Sequence, residues 1–307
     1  MSTLIRPADT GRGTATSETD RTRRPAKRRS VLSHTFLVLL VLYFAMPLWW
    51  LVVASTKDIN GLFTGTGGPL WFDENFSLVD NVRQLFTQGG GIYWRWLGNS
   101  FLYAFAGGIG ATVLSVLAGY GFAKYRFPGR NLYFAVLLGS VMVPVTALVI
   151  PTFVLLAELR LTNTIWAVIL PSLLSPFGVY LMRVYAADAV PDELLDAARV
   201  DGAGDLRTFV SVALPLLRPA IVTVLLLSTV ATWNNYFLPL AVLSDTKLLP
   251  ITVGLGQWQA QSTSGAAGSQ LWNLVVTGAL ISIIPLVVSF LALQKYWQGG
   301  LTMGSLK

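Results

Sequence analysis

Residues 97–123 read LGNSFLYAFAGGIGATVLSVLAGYGFA, and no charged side chain interrupts them before Lys124. A helix needs about 20 such residues to cross the hydrocarbon core of a bilayer. A membrane strand needs only about 10 and alternates polar with apolar positions, which this stretch does not do. Five further stretches share its character: 35–54, 131–157, 161–182, 219–244 and 271–293. Their lengths, 20 to 27 residues, suit helices. The sequence therefore reads as an all-α polytopic membrane protein with six transmembrane helices.

Composition agrees. Charged residues are 12%, hydrophobic residues 53% and mean hydropathy is +0.60. Soluble domains carry about 25% charge, so the apolar solvent here is a bilayer. The chain has no cysteine, which excludes disulfides, thiol catalysis and Cys-type metal sites. Its single histidine, His34, excludes a multi-histidine metal centre.

The net charge of +7 is a topology signal and points to no nucleic-acid partner. With the N-terminus inside, the basic tail 1–30 carries eight Lys and Arg, the loop after span two three, the loop after span four four, and the C-terminal tail two. The outer loops carry three, one and one. Seventeen against five places both termini in the cytoplasm of a multi-pass cell-membrane protein. The tail, rich in Arg, Thr, Ser and Pro with no apolar core, reads as disordered and able to touch anionic lipid. Val52-Val53-Ala54 loosely fits a signal cleavage site, but the apolar stretch before it exceeds the usual 7–15 residues, so the first span is retained. Residues 55–96, long for a loop without structure of its own, leave room for a small ordered cap.

No Asp, Glu, Lys or Arg falls inside any of the six stretches. This disfavours a proton-driven carrier, which keeps such groups on its path. It also disfavours an intramembrane enzyme, which needs a nucleophile–base pair or a metal. Prolines 47, 144, 151, 171, 176, 239 and 285 interrupt the stretches, and each removes an amide donor and tends to bend its helix. Span five contains Trp233-Asn234-Asn235-Tyr236. Counted from Pro219, Asn234 lies about 22 Å up a helix. Two amides at that depth either hydrogen-bond between helices or line a polar path.

The one long inner loop, 183–218, centres on Pro191-Asp192-Glu193-Leu194-Leu195-Asp196-Ala197-Ala198-Arg199-Val200-Asp201-Gly202-Ala203-Gly204. Pro191 suits a first helical position, and Asp192 and Glu193 suit the positive end of a helix. Gly202 suits a left-handed stop. Asp205 is placed to cap a second helix running to Leu214-Pro215. Such a corner, with small Ala197 and Ala198 on its surface, is either a solvated loop or a knob for a partner's groove.

The spacing distinguishes these. Asp196-Ala197-Ala198, three residues, Gly202, nine residues, then Val212-Ala213-Leu214-Pro215 closely resembles the signature loop of ABC importer permeases: Glu-Ala-Ala, three residues, Gly, nine residues, Ile-any-Leu-Pro. Asp196 for Glu and Val212 for Ile are conservative departures. Leu97-Gly98-Asn99-Ser100, Tyr125-Arg126-Phe127-Pro128-Gly129-Arg130, Val190-Pro191-Asp192-Glu193-Leu194 and the ending from Gln294 to Gly304 are similar to the maltose-transporter-like carbohydrate branch. The resemblance covers roughly residues 32–307.

The resemblance implies a type I importer permease whose transmembrane domain, 31–307, carries a coupling loop at 183–218. Asp196, Ala197, Ala198, Gly202, Leu214 and Pro215 would meet an ABC ATPase dimer. A second homologous permease would complete the pathway, and an extracytoplasmic solute-binding protein would deliver a sugar or oligosaccharide. Asn234 and Asn235, on the second of the two readings given above for their amides, would line the path. No Gly-x-x-x-x-Gly-Lys phosphate loop exists in the chain. ATP is therefore used by a partner, and this chain needs no cofactor and is no enzyme. The rival reading is a stand-alone secondary carrier or channel for a small polar solute.

Because the chain lacks cysteine, orientation is directly measurable. In intact cells a membrane-impermeant thiol reagent should label Asp245→Cys and spare Asp205→Cys. Strong labelling at 205 would reverse the topology.

Overall fold

The computed structural model describes residues 31–264 and 271–302, with side chains as far as 294. The basic tail 1–30, read above as disordered, lies outside the described residues. Every regular element among the described residues is a helix. Val31–Met46 forms one compact unit and the chain from Pro47 a second. The first unit is the opening of α1 (Val31–Ser55), where apolar side chains such as Phe36, Leu39 and Phe44 are exposed, as on a helix immersed in lipid.

The second unit is organised around α4 (Ile92–Lys124). It packs against α8 (Pro176–Ala189) and against α11 (Leu214–Trp233), and α14 (Trp272–Thr302) packs on α11. Hydrophobic contact with lipid cannot drive these helices together, so close backbone approach does. Gly107, Gly108 and Gly119 are all buried. A methyl at Gly119 would meet Met182 Cβ and lie 2.8 Å from the Arg183 amide nitrogen; one at Gly108 would lie 3.0 Å from Thr229 Cα. Two apolar clusters fill the ends of the bundle. Tyr93, Trp96, Tyr103, Ile251 and Leu274 contribute to one, and Val116, Tyr120, Met182, Leu195 and Leu217 to the other.

Among the described residues, five helical runs are long and apolar enough to cross a membrane, or six if one bent pair counts as a span. That pair corrects the expectation of a continuous third helix over 131–157. α5 (Arg130–Val141) and α6 (Val149–Glu158) meet at 99°. Pro144 has no amide to donate and biases Val143 away from helical geometry, so the break falls there. The fourth span starts later than expected. Arg160 and Asn163, both at φ 57°, turn the chain ahead of α7 (Trp166–Ser172), and Pro176 opens α8 after a short break. Arg183 on α8 lies 3.8 Å over the Phe134 ring and ties α5 to it.

Span five also differs. Its helical run, Asp205–Trp233, reaches 29 residues, about 43 Å. It ends at Asn234 instead of continuing to 244. The Pro239 ring would clash with the carbonyl four residues earlier, that of Asn235, and this stops the helix. After α12 (Phe237–Val242), the chain forms α13 (Ile251–Thr263), a helix the charge pattern did not announce.

Residues 55–95 form an ordered cap with α2 (Ile59–Thr64) and α3 (Leu78–Thr87). Lys57 Nζ lies 3.1 Å from Asp73 Oδ1 and donates to the Gly68 carbonyl at 2.6 Å, with both charged side chains buried. The Asn81 amide donates to the carbonyls of Ser55 and Lys57, and its oxygen accepts from Asn273 on α14 at 2.8 Å. Tyr93 donates to the Gly278 carbonyl at 2.8 Å. The end of α1, the cap and the start of α14 are thus one hydrogen-bonded assembly, with Val53 to Ser55 buried inside it.

Gly119→Val should cost about 1–3 kcal/mol through overpacking against α8. Gly121→Ala, where a methyl meets open space, should be neutral or stabilising by up to about 1 kcal/mol. Thermal unfolding in detergent separates the two. Equal melting temperatures would contradict the close α4–α8 contact.

Candidate functional site

The loop 183–218 folds into a short helix, a corner and the start of span five. α9 (Asp192–Val200) begins with Pro191 as N-cap, one residue outside the helical position expected for it. Asp192 and Glu193 occupy the first turn, where the helix dipole favours acids. Leu195 is buried in the cluster formed by Val116, Tyr120, Met182, Val190, Ala213 and Leu217. One face of α9 is therefore plugged into the end of the bundle. Asp196 and Ala197 are exposed, Ala198 is half-buried, and Val200 is 88% exposed.

The helix stops at Gly202, which has φ +80°. The Gly202 amide donates to Arg199 at 3.0 Å and the Ala203 amide to Ala198 at 2.9 Å. This paired pattern is the Schellman motif, which satisfies carbonyls that a helix end leaves bare. A methyl at Gly202 would meet nothing within 4 Å. The demand for glycine within this chain therefore comes from backbone conformation alone.

Three ion pairs hold α9 and its corner. Lys124, at the end of α4, lies 2.7 Å from Asp192, with the lysine side chain only 8% exposed. That hydrogen bond and charge hold the Asp192 carboxyl below its ordinary 3.8. A depressed carboxyl contributes its stabilisation above the ordinary value and loses it as pH falls through the lowered one, so the pair is intact at neutral pH. Asp196 lies 2.9 Å from Arg199, one turn on, and Arg199 is 3.9 Å from Asp205. Asp196 therefore supports its own helix in this conformation.

The structure brings Asp196, Ala197, Ala198 and Gly202 together on one corner, and separates Leu214 and Pro215 from it. Asp205 is the first residue of α10 (Asp205–Thr208), and Gly204 takes the cap position expected for Asp205. The second helix does not end at Leu214-Pro215. It runs on through a π-turn at Phe209–Ala213, where the Leu214 amide reaches back to Phe209, into α11. The widened turn accommodates Pro215, which has no amide and would crowd an ordinary turn. Leu214 is half-buried and Pro215 exposed; both border a shallow groove with Thr112, Val113 and Arg218.

Asn234 and Asn235 lie far along the same helix, at its other end. Asn234 caps it, and its side-chain amide donates to the Val230 carbonyl at 3.0 Å. The freed carbonyl of Asn235 accepts from Thr252 Oγ1 of α13 at 2.9 Å. The adjacent Trp233 ring packs on Phe101, with centroids 5.1 Å apart. The pair therefore marks a helix break instead of standing within a continuous helix. Sequence reading missed Lys124 and Leu195, which anchor α9. For Lys124 the only sequence signal was its place as the first charge after span two.

Residues 111–301 match the family described as "Binding-protein-dependent transport system inner membrane component". The arabinooligosaccharides transport system permease protein AraQ of Halalkalibacterium halodurans is 34% identical over 85% of this chain and 90% of its own. AraQ of Bacillus subtilis is 33% identical over 89% and 94%. The sn-glycerol-3-phosphate transport system permease protein UgpE of Salmonella typhi is 30% identical over 89% and 95%. In fold, the chain is similar to a chain from the crystal structure of a bacterial ABC transporter involved in the import of the acidic polysaccharide alginate, with TM-score 0.73 and 21% identity over 87% of this chain and 95% of that one. The family match and these relatives show that the chain belongs to the inner-membrane components of binding-protein-dependent transport systems: it is a non-enzymatic, multi-pass permease subunit of an ABC importer, and ATP hydrolysis belongs to its partner ATPase.

Proposed function

We propose that the chain carries a sugar or oligosaccharide into the cytoplasm, working with a second homologous permease, an ABC ATPase dimer and an extracytoplasmic solute-binding protein. Residues 31–307 act as the permease domain, with both termini in the cytoplasm, as the distribution of basic residues favours. The relatives named for arabinooligosaccharides support the carbohydrate reading.

The observation that carries the proposal is the build of α9. Its buried Leu195 and its Lys124 bridge make it a rigid extension of α4, α8 and α11. Its corner, with Asp196, Ala197 and Gly202 exposed and Ala198 half-buried, fits a cleft on the ATPase. Leu214 and Pro215 fix the direction in which span five leaves the corner. Closure of the ATPase dimer pushes the corner, and the bundle follows as a lever. Asn234 and Asn235 form a flexible point on the route, because the helix break there needs no helical hydrogen bond to be broken when the span moves.

Gly202→Asp places a side chain at positive φ, at a cost of about 1 kcal/mol or more. The spans should still insert. ATPase co-purification should weaken and uptake should be lost. Normal uptake by this variant would contradict the coupling role. Replacing Asn234 and Asn235 by Leu should lower uptake with the complex assembled; collapse of assembly would make them purely structural.

A further inference from the structure

Beside the break in span five lies an open cavity of about 760 Å³, bordered by α13, α14 and Tyr236. That volume falls in the roughly 300–1,000 Å³ range of small-molecule sites. The geometry points to this cavity as a binding site, on this subunit, for the transported solute, and to a neutral polyhydroxylated ligand as its occupant. The inference rests on the importer reading above and extends it to a specific site and ligand class.

Three observations carry it. The lining offers an amide and hydroxyls, from Gln259, Thr252, Thr263 and Tyr236, set among apolar side chains such as Leu255 and Val275. The Gln259 amide and the Tyr236 hydroxyl can both donate and accept, as sugar hydroxyls require, while the Thr252 and Thr263 hydroxyls, whose protons go to the Asn235 and Gln259 carbonyls, offer acceptor lone pairs. The Tyr236 ring is held in place: a methyl on Gly256 would lie 2.8 Å from Tyr236 Cε2, so the absent side chain is what lets the ring lie against α13. A fixed aromatic face with a polar tip suits the C–H faces and hydroxyls of a pyranose or furanose. The wall is also tied to the moving part of the span, because Thr252 is both a lining residue and the donor to the Asn235 carbonyl. Movement of the break therefore changes the cavity.

The absence of charge selects the ligand. Among the described residues no Lys or Arg lines the cavity, whereas a phosphate ester or uronate calls for a cation to pair with it. Relatives are named for both arabinooligosaccharide and sn-glycerol-3-phosphate systems. The lining here fits the first chemistry.

The complete transporter, with its ATPase and binding protein, is reconstituted in proteoliposomes. Arabinotriose, maltotriose, xylotriose and sn-glycerol-3-phosphate serve as probes, and both ATPase stimulation and uptake are read. A neutral trisaccharide should stimulate hydrolysis in the wild type. Gln259→Leu and Tyr236→Ala should each cut uptake of that sugar at least tenfold while binding-protein-stimulated hydrolysis stays within twofold, and Gln259→Asn should restore part of the loss. Stimulation by glycerol phosphate alone, or by none of the sugars, overturns the ligand class. Unchanged uptake in both variants overturns the site, as does a loss of hydrolysis that matches the loss of uptake in each. Failure of the importer reading shows elsewhere, as wild-type protein whose hydrolysis does not respond to the binding protein.

Discussion

A backbone amide or carbonyl left bare in hydrocarbon costs several kcal/mol, and this constraint shapes the second unit throughout. Each proline inside a span removes a donor and evicts the carbonyl four residues before it. At Pro176, Pro215 and Pro239 the chain answers locally. Ser175 takes the Gly178 amide at 3.2 Å where α8 restarts at Pro176. A π-turn absorbs Pro215. Thr252 donates to the Asn235 carbonyl above Pro239. These repaired breaks divide otherwise stiff rods into segments: the one at Pro215 borders the groove with Thr112 and Arg218, and the one at Pro239 lies beside the cavity.

Both ends of the bundle hold an apolar cluster, but they are fastened differently. The cap end is also stitched, with Lys57–Asp73, Asn81–Asn273 and the Tyr93 hydroxyl joining separate segments. The end bearing α9 is apolar and plugged, with Leu195 as the stud and Lys124–Asp192 as the strap. A stitched end holds its shape, whereas a plugged helix transmits a push to everything packed around it. Span five runs about 43 Å from Asp205 beside the plug to Trp233 beside the cavity, so displacement at one site reaches the other through a single helical run.

Legibility in the sequence followed the range of the interaction. Gly202 was legible because a left-handed stop is decided by neighbours within one turn. The spans were legible because charges punctuate them. The helix boundaries at Pro191 and Asp205 were each displaced by a single position. The continuation past Leu214 was hidden, since a π-turn leaves no composition signal. α13 escaped because its 13 residues include Gln257, Gln259 and Gln261 and fall short of a span. Lys124–Asp192 joins residues 68 positions apart, and nothing local in either announces the other.

The central claim is that α9 moves as one body with α4. With spin labels at Glu193→Cys on α9 and Leu117→Cys on α4, electron–electron double resonance on the assembled transporter reads their separation through the ATP cycle. The account predicts one narrow distance distribution that stays unchanged between the nucleotide-free and vanadate-trapped states, while distances from Glu193→Cys to the second permease shift. A 193–117 distance that changes on trapping would mean that α9 swings independently of the bundle, and would contradict the account.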